Sequence, residues 1–161
     1  MPIIKYRRFL NLILFFSIFA LISAYFIQYI LGHQPCNLCL IERVPYISAV
    51  TIILLCFYLK KFEKICLIFL SLIFLMATIL SFYHFGIEQG FIKESLVCDL
   101  DVGEKILNPD ELLKKLKDKT VSCRDVTFKI FGLSLATINI IISLILSIIT
   151  MKHFLNYEKN R

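Results

Sequence analysis

The 161-residue chain is 58% hydrophobic, only 19% charged, and carries a net charge of +6. That balance excludes an ordinary soluble core and points to an integral membrane protein. Its apolar runs are continuous rather than alternating, which favours helices over a lipid-facing barrel.

In chain order the apolar runs cover residues 9–31, 44–59, 65–85 and 130–151. A helix needs about 20 apolar residues to cross a bilayer. The second run reaches that length by starting at Leu40 and taking Glu42, Arg43 and Pro45 into its first turns. Charged side chains there sit at the interface, where long ones snorkel. The prediction is all-α: an integral membrane four-helix bundle spanning 9–31, 40–59, 65–85 and 130–151, as one domain over 1–161. Lys5, Arg7 and Arg8 before the first run also suit a signal peptide. The run is longer than a signal core and no small-x-small site closes it, so an uncleaved helix is expected.

Basic residues set the expected orientation. Lys5, Arg7 and Arg8 precede the first helix, Lys60, Lys61 and Lys64 fill the turn after the second, and Lys152, Lys159 and Arg161 follow the fourth. The positive-inside tendency places these segments in the cytoplasm and the loops 32–43 and 86–129 outside. Cys36, Cys39, Cys98 and Cys123 then share the oxidising face, where disulfides persist. Cys56 and Cys66 flank the cytoplasmic turn and read as small apolar side chains in helix packing.

The first connection, Gly32-His33-Gln34-Pro35, is short, so helices one and two should be antiparallel neighbours. Within the long outer loop, Asn108-Pro109-Asp110-Glu111 reads as an N-cap, a proline at the first helical position and acids in the first turn. Leu112, Leu113 and Leu116 then share one side, as in a surface-lying amphipathic helix or an ordinary solvated one. A bond between Cys98 and Cys123 would close this loop and contribute about 3 kcal/mol by chain entropy. Such a pair suits either a structural staple or a disulfide offered to a partner protein.

The motif with most chemistry is Cys36-Asn37-Leu38-Cys39. A thiol at a helix N-terminus has its thiolate stabilised by unpaired backbone amides. Arg43, four residues after Cys39, would add a fixed positive charge on the same face; its plainer reading is an interfacial anchor paired with Glu42. Two dithiol pairs at a lipid boundary suggest electron transfer between a water-soluble thiol and something dissolved in lipid. Zinc usually takes two closely spaced ligand pairs, and only one pair here is close, so no metal is expected. His84, at the outer end of the third helix, either donates to a lipid-soluble carbonyl acceptor or sits at the interface beside Tyr83.

Three blocks carry a family resemblance along nearly the whole chain: Pro35-Cys36-Asn37-Leu38-Cys39-Leu40-Ile41-Glu42-Arg43; Tyr83-His84-Phe85-Gly86-Ile87-Glu88 leading to Cys98; and Cys123 followed by Phe131-Gly132-Leu133-Ser134-Leu135-Ala136. The chain resembles the DsbB family, the quinone-linked protein-disulfide oxidoreductases of the bacterial inner membrane, which include the DsbI proteins. The resemblance implies that a reduced DsbA-like thioredoxin-fold partner attacks a Cys98–Cys123 disulfide, with Cys98 taking the mixed disulfide. Cys123 then attacks Cys36 of a Cys36–Cys39 disulfide, and Cys39 passes electrons to a quinone, ubiquinone or menaquinone. It also implies Arg43, His84 and Glu42 as quinone neighbours, His84 only with a one-residue alignment shift. Phe128 stands where many family members carry tryptophan, and this chain has no tryptophan.

The expected function is thus reoxidation of a periplasmic dithiol carrier at the expense of membrane quinone, with no nucleic-acid partner. A vitamin K epoxide reductase-like enzyme is a rival, but there the loop cysteines precede the CxxC. A scaffolding membrane protein with two inert disulfides is the rival from another class.

Overall fold

A computed structural model of the protein describes residues 2–59, 63–93, 98, 122–124, 129–130 and 132–159. The anticipated helix at Asn108–Glu111, the turn lysines Lys60 and Lys61, and Phe128 and Phe131 lie outside these residues. Helix α1 runs Pro2–Tyr29, α2 Asn37–Ile41, α3 Val44–Tyr58, α4 Glu63–Glu88 and α5 Leu135–Lys159. Four segments are long and apolar enough to cross a membrane: Tyr6–Tyr29, Asn37–Tyr58, Lys64–Glu88 and Leu135–Asn156. Among the described residues the protein is a bundle of helices of membrane-spanning length, with one short strand pair.

Local sequence explains the boundaries. Gly32 follows α1 at φ +72, a backbone conformation open chiefly to glycine, so the chain turns away there and His33 N–H returns to the Ile27 carbonyl at 3.3 Å. The second span is not the single helix 40–59. It is two pieces, α2 and α3, meeting at Glu42 and Arg43. Pro45 sits in the first turn of α3 and has no N–H to offer the Ile41 carbonyl, so the helical ladder is interrupted there. The fourth helix starts later than residue 130. Before it, Lys129–Ile130 pairs antiparallel with Leu133–Ser134, around Gly132 at φ +82.

Helix α4 packs most extensively against α5, while α3 bridges α1 and α4. Small hydroxyl residues line the α4–α5 seam. Ser71 Oγ donates to the Ser147 carbonyl at 3.4 Å and Ser147 Oγ returns to the Ser71 carbonyl at 3.2 Å. Thr78 Oγ1 reaches Ser143 Oγ at 3.0 Å. Side chains this small let helix backbones approach closely, and in lipid such contacts replace hydrophobic exclusion as the association force. Leu10, Ile53, Leu70 and Phe74 are wholly buried, whereas Leu12, Phe15 and Met76 point outward, as lipid-facing residues do. The bundle therefore has a packed interior and an apolar outside.

Candidate active site

Cys36 is the N-cap of α2, with φ −72 and ψ 166. Its sulfur accepts the backbone N–H of Cys39 at 3.3 Å, filling the role a serine or aspartate oxygen has in most caps. The two sulfurs are 2.8 Å apart and unbonded, so this is the dithiol form of the pair. The Cys36 thiol is lowered from 9.0 to about 5. The Cys39 thiol is the largest cause, burial opposes it, and the His84 ring and the Cys39 amide add to the lowering. The sequence points to the helix N-terminus and Arg43 for this lowering; the groups that contact Cys36 are Cys39 and His84.

His84, near the end of α4, is only 3% exposed, and its Nε2 lies 3.6 Å from Cys36 Sγ. Its Nδ1 is 2.8 Å from Glu42 Oε1. Glu42 falls at the break between α2 and α3, which turns its carboxylate inward instead of along the bilayer interface. Its second oxygen accepts Asn139 Nδ2 of α5 at 3.0 Å. Asn139 also donates to Ser81 Oγ at 2.7 Å and accepts from the Tyr46 hydroxyl at 2.5 Å. Both carboxylate oxygens are thereby satisfied, as a buried charge requires. Beside them Glu88 lies 3.9 Å from His84 Nε2 and accepts from Ser134 Oγ at 2.5 Å.

Arg43 does not pair with Glu42. Its guanidinium donates to Gln28 Oε1 of α1 at 2.6 Å and lies 4.8 Å above the Tyr25 ring. The two charged neighbours diverge, Glu42 toward α4 and α5, Arg43 toward α1. Between them opens a cavity of about 390 Å³, lined by Cys36, Cys39, Arg43, His84 and Cys123 together with apolar side chains of α1 and α5.

Cys98 and Cys123 are joined as a disulfide with Cα atoms 5.9 Å apart. They are buried together with Cys36, Leu38 and Ile87. Four cysteines distant in sequence thus meet at one end of the bundle, the reduced pair against the oxidised one. Cys36, Cys39 and His84 place their donor atoms within 4.8 Å of one another.

Cys56 and Cys66 correct an expectation. They are not two independent packing residues but a disulfide, with Cα atoms 6.4 Å apart. The short connection between antiparallel α3 and α4 brings the two positions to the same level. Sequence reasoning also passed over Asn139, Gln28 and Tyr46. Asn139 left a signal: it is the one amide side chain in the apolar run 130–151, and a polar residue at such depth is costly without a partner.

A membrane-spanning helical bundle whose free dithiol, with a thiolate-stabilising cap, is buried against a disulfide is built for thiol–disulfide exchange. The family model described as "Disulfide bond formation protein DsbB" matches residues 6–152. The chain belongs to the DsbB family and is a disulfide oxidoreductase of the membrane. It is also similar to the uncharacterized protein RP370 of Rickettsia prowazekii (strain Madrid E), with 32% identity over 144 residues that cover 86% of this chain and 83% of that protein.

Proposed function

We propose that this chain reoxidises a DsbA-like thioredoxin-fold dithiol carrier at the periplasmic face of a bacterial inner membrane and delivers the electrons to membrane quinone. The observation that carries this reading is the burial of Cys98–Cys123 against Cys36. Thiol exchange requires an attacking thiolate to reach a disulfide sulfur, and here the second pair lies beside the first. Cys98 takes the carrier's sulfur, Cys123 is released, and Cys123 attacks Cys36 when that cysteine is bonded to Cys39. The basic residues at both termini, with Lys64 beside the turn, support the assignment of the four-cysteine end to the outside.

The cavity suits a quinone ring. Its volume of about 390 Å³ falls within the usual range for ligand sites, roughly 300–1,000 Å³, and it joins apolar walls to a few convergent polar groups. Arg43, Glu42 and His84 line it and would be the polar groups that meet the carbonyl oxygens of a quinone. A quinone held there would supply the two-electron, two-proton acceptor for closing the Cys36–Cys39 bond. A Cys36 thiolate stabilised by its neighbours would favour the reduced form of the pair.

The test combines two variants. Cys39→Ser should fold and show no quinone-dependent oxidation of a reduced DsbA-like protein. Cys123→Ser should accumulate a mixed disulfide through Cys98, visible as a reducible mass increase. Normal turnover by Cys39→Ser would overturn the proposal.

A further inference from the structure

We propose that Cys36, His84 and Glu42 form a proton relay, in which His84 Nε2 takes the Cys36 thiol proton and Glu42 holds the ring for that transfer. This deepens the functional reading above and rests on Cys36–Cys39 being the redox-active pair. It gives His84 a task at the sulfur rather than at an electron acceptor.

The tautomer follows from the contacts. Glu42 Oε1 already faces His84 Nδ1 at 2.8 Å, and an ionised carboxylate can only accept, so Nδ1 carries a proton. In the neutral ring Nε2 then presents its lone pair to Cys36 Sγ, 3.6 Å away. The S–H donates to the ring when the thiol holds the proton, and the ring N–H donates to the thiolate after transfer. One geometry serves both states. In the step the S–H bond breaks, its electron pair stays on sulfur, and an N–H bond forms on Nε2. Glu42 offsets the imidazolium charge, as the carboxylate does in a Ser-His-Asp triad.

The groups packed around the ring are acidic or neutral. From the α2 side His84 faces Cys36, Cys39 and Glu42; on its own helix it faces Glu88 at 3.9 Å. Asn139 of α5 and Ser134 in the short strand before it are neutral and hold Glu42 and Glu88 in place. The loop disulfide is uncharged. Arg43 is turned toward Gln28, and Arg124 lies out by Gly90. The groups closest to the ring are thus the Cys36 sulfur and the Glu42 and Glu88 side chains. Lowering of the Cys36 thiol to about 5 accords with this arrangement. Cys36 and Cys123 share one buried cluster; Cys36 exchanges with Cys123 while bonded to Cys39, and the thiolate is the form that it takes once the pair is reduced.

The test uses the full-length, reduced protein freed of quinone. Alkylation of Cys36 by iodoacetamide is followed against pH by peptide mass spectrometry. In the wild type the rate should be half-maximal near pH 5. His84→Asn keeps a donor for Glu42 but removes the proton acceptor. It should move the inflection upward and slow alkylation at about pH 6 by about 10-fold or more, since each unit changes the thiolate fraction tenfold below the pKa. Glu42→Gln should shift it the same way by less. A purely structural His84 would change stability and leave the profile in place, and an unchanged profile overturns the relay. If His84→Asn does not fold, ¹⁵N-histidine spectra of the wild type decide the matter. His84 should carry both ring protons in the dithiol form at about pH 7 and only the Nδ1 proton in the disulfide form. The same protonation in both forms overturns the relay. Neither readout involves quinone or a carrier protein, so the relay can fail while the electron route stands, and the reverse.

Discussion

Both ends of the α3–α4 pair bring two cysteines together, yet their surroundings differ in kind. At one end Cys36 and Cys39 sit beside a cavity, with a helix N-terminus, a histidine and a buried carboxylate within reach. At the other, Cys56 and Cys66 lie in a packed apolar cluster with Leu10, Ile53, Leu67 and Leu70. A sulfur among hydrocarbon has no partner to stabilise a thiolate, and the thiolate is what reacts. The same residue type is therefore a staple at one end and a nucleophile at the other.

The sharpest way to break this comparison is to remove each pair in turn. Cys36→Ser or Cys39→Ser should eliminate dithiol oxidation, while the double change Cys56→Ser with Cys66→Ser should keep it, measured as turnover of a reduced DsbA-like protein. Loss of turnover in the second variant would make the far pair part of the chemistry. Next in size is Phe74→Ala, which empties a fully buried site next to Tyr46 and should lower unfolding stability by about 3–5 kcal/mol in a denaturant titration. The double change at Cys56 and Cys66 should cost about 3 kcal/mol in the same assay, the chain-entropy value for so short a loop.

Asn139→Leu strikes the polar end alone. It strands Glu42 Oε2, Ser81 and the Tyr46 hydroxyl, at a cost of about 1–3 kcal/mol. It should also raise the pH at which Cys36 alkylation is half-maximal, by loosening Glu42 behind His84. Stability should also depend on pH. Cys36 has a thiol pKa depressed from 9.0 to about 5, so its stabilising contribution is complete above the upper value. It is lost as pH falls toward the lower one. The dithiol protein should lose stability across that window relative to the Cys36–Cys39 disulfide form, in which neither sulfur titrates. Parallel curves for the two forms would count against a stabilised Cys36 thiolate.

Much of the site was legible in linear order because its signals are local. The CxxC at a helix start, the arginine one turn on, and the histidine near the end of the third span all read from short windows. Pro45 was equally visible, but its consequence was missed: it divides the second span, and that break directs Glu42 and Arg43 to opposite walls. Taking residues 40–59 as one helix kept the two charges together at the interface, with Arg43 aimed at Cys39. Asn139 was conspicuous in an apolar run, yet nothing local says that it meets a glutamate 97 positions away.

What the sequence by itself determined is what chain periodicity and composition control: four apolar spans, their helical character, and which cysteines belong to which end. Helix length and the need to satisfy every backbone group in lipid leave few alternatives. Only the tertiary structure decided the partners. The α4–α5 seam brings Asn139 to Glu42, the short α3–α4 connection brings Cys56 to Cys66, and Cys98 and Cys123 cluster with Cys36. Those are contacts through space, set by which helix faces meet, and no local window of residues contains both members of the longer-range pairs.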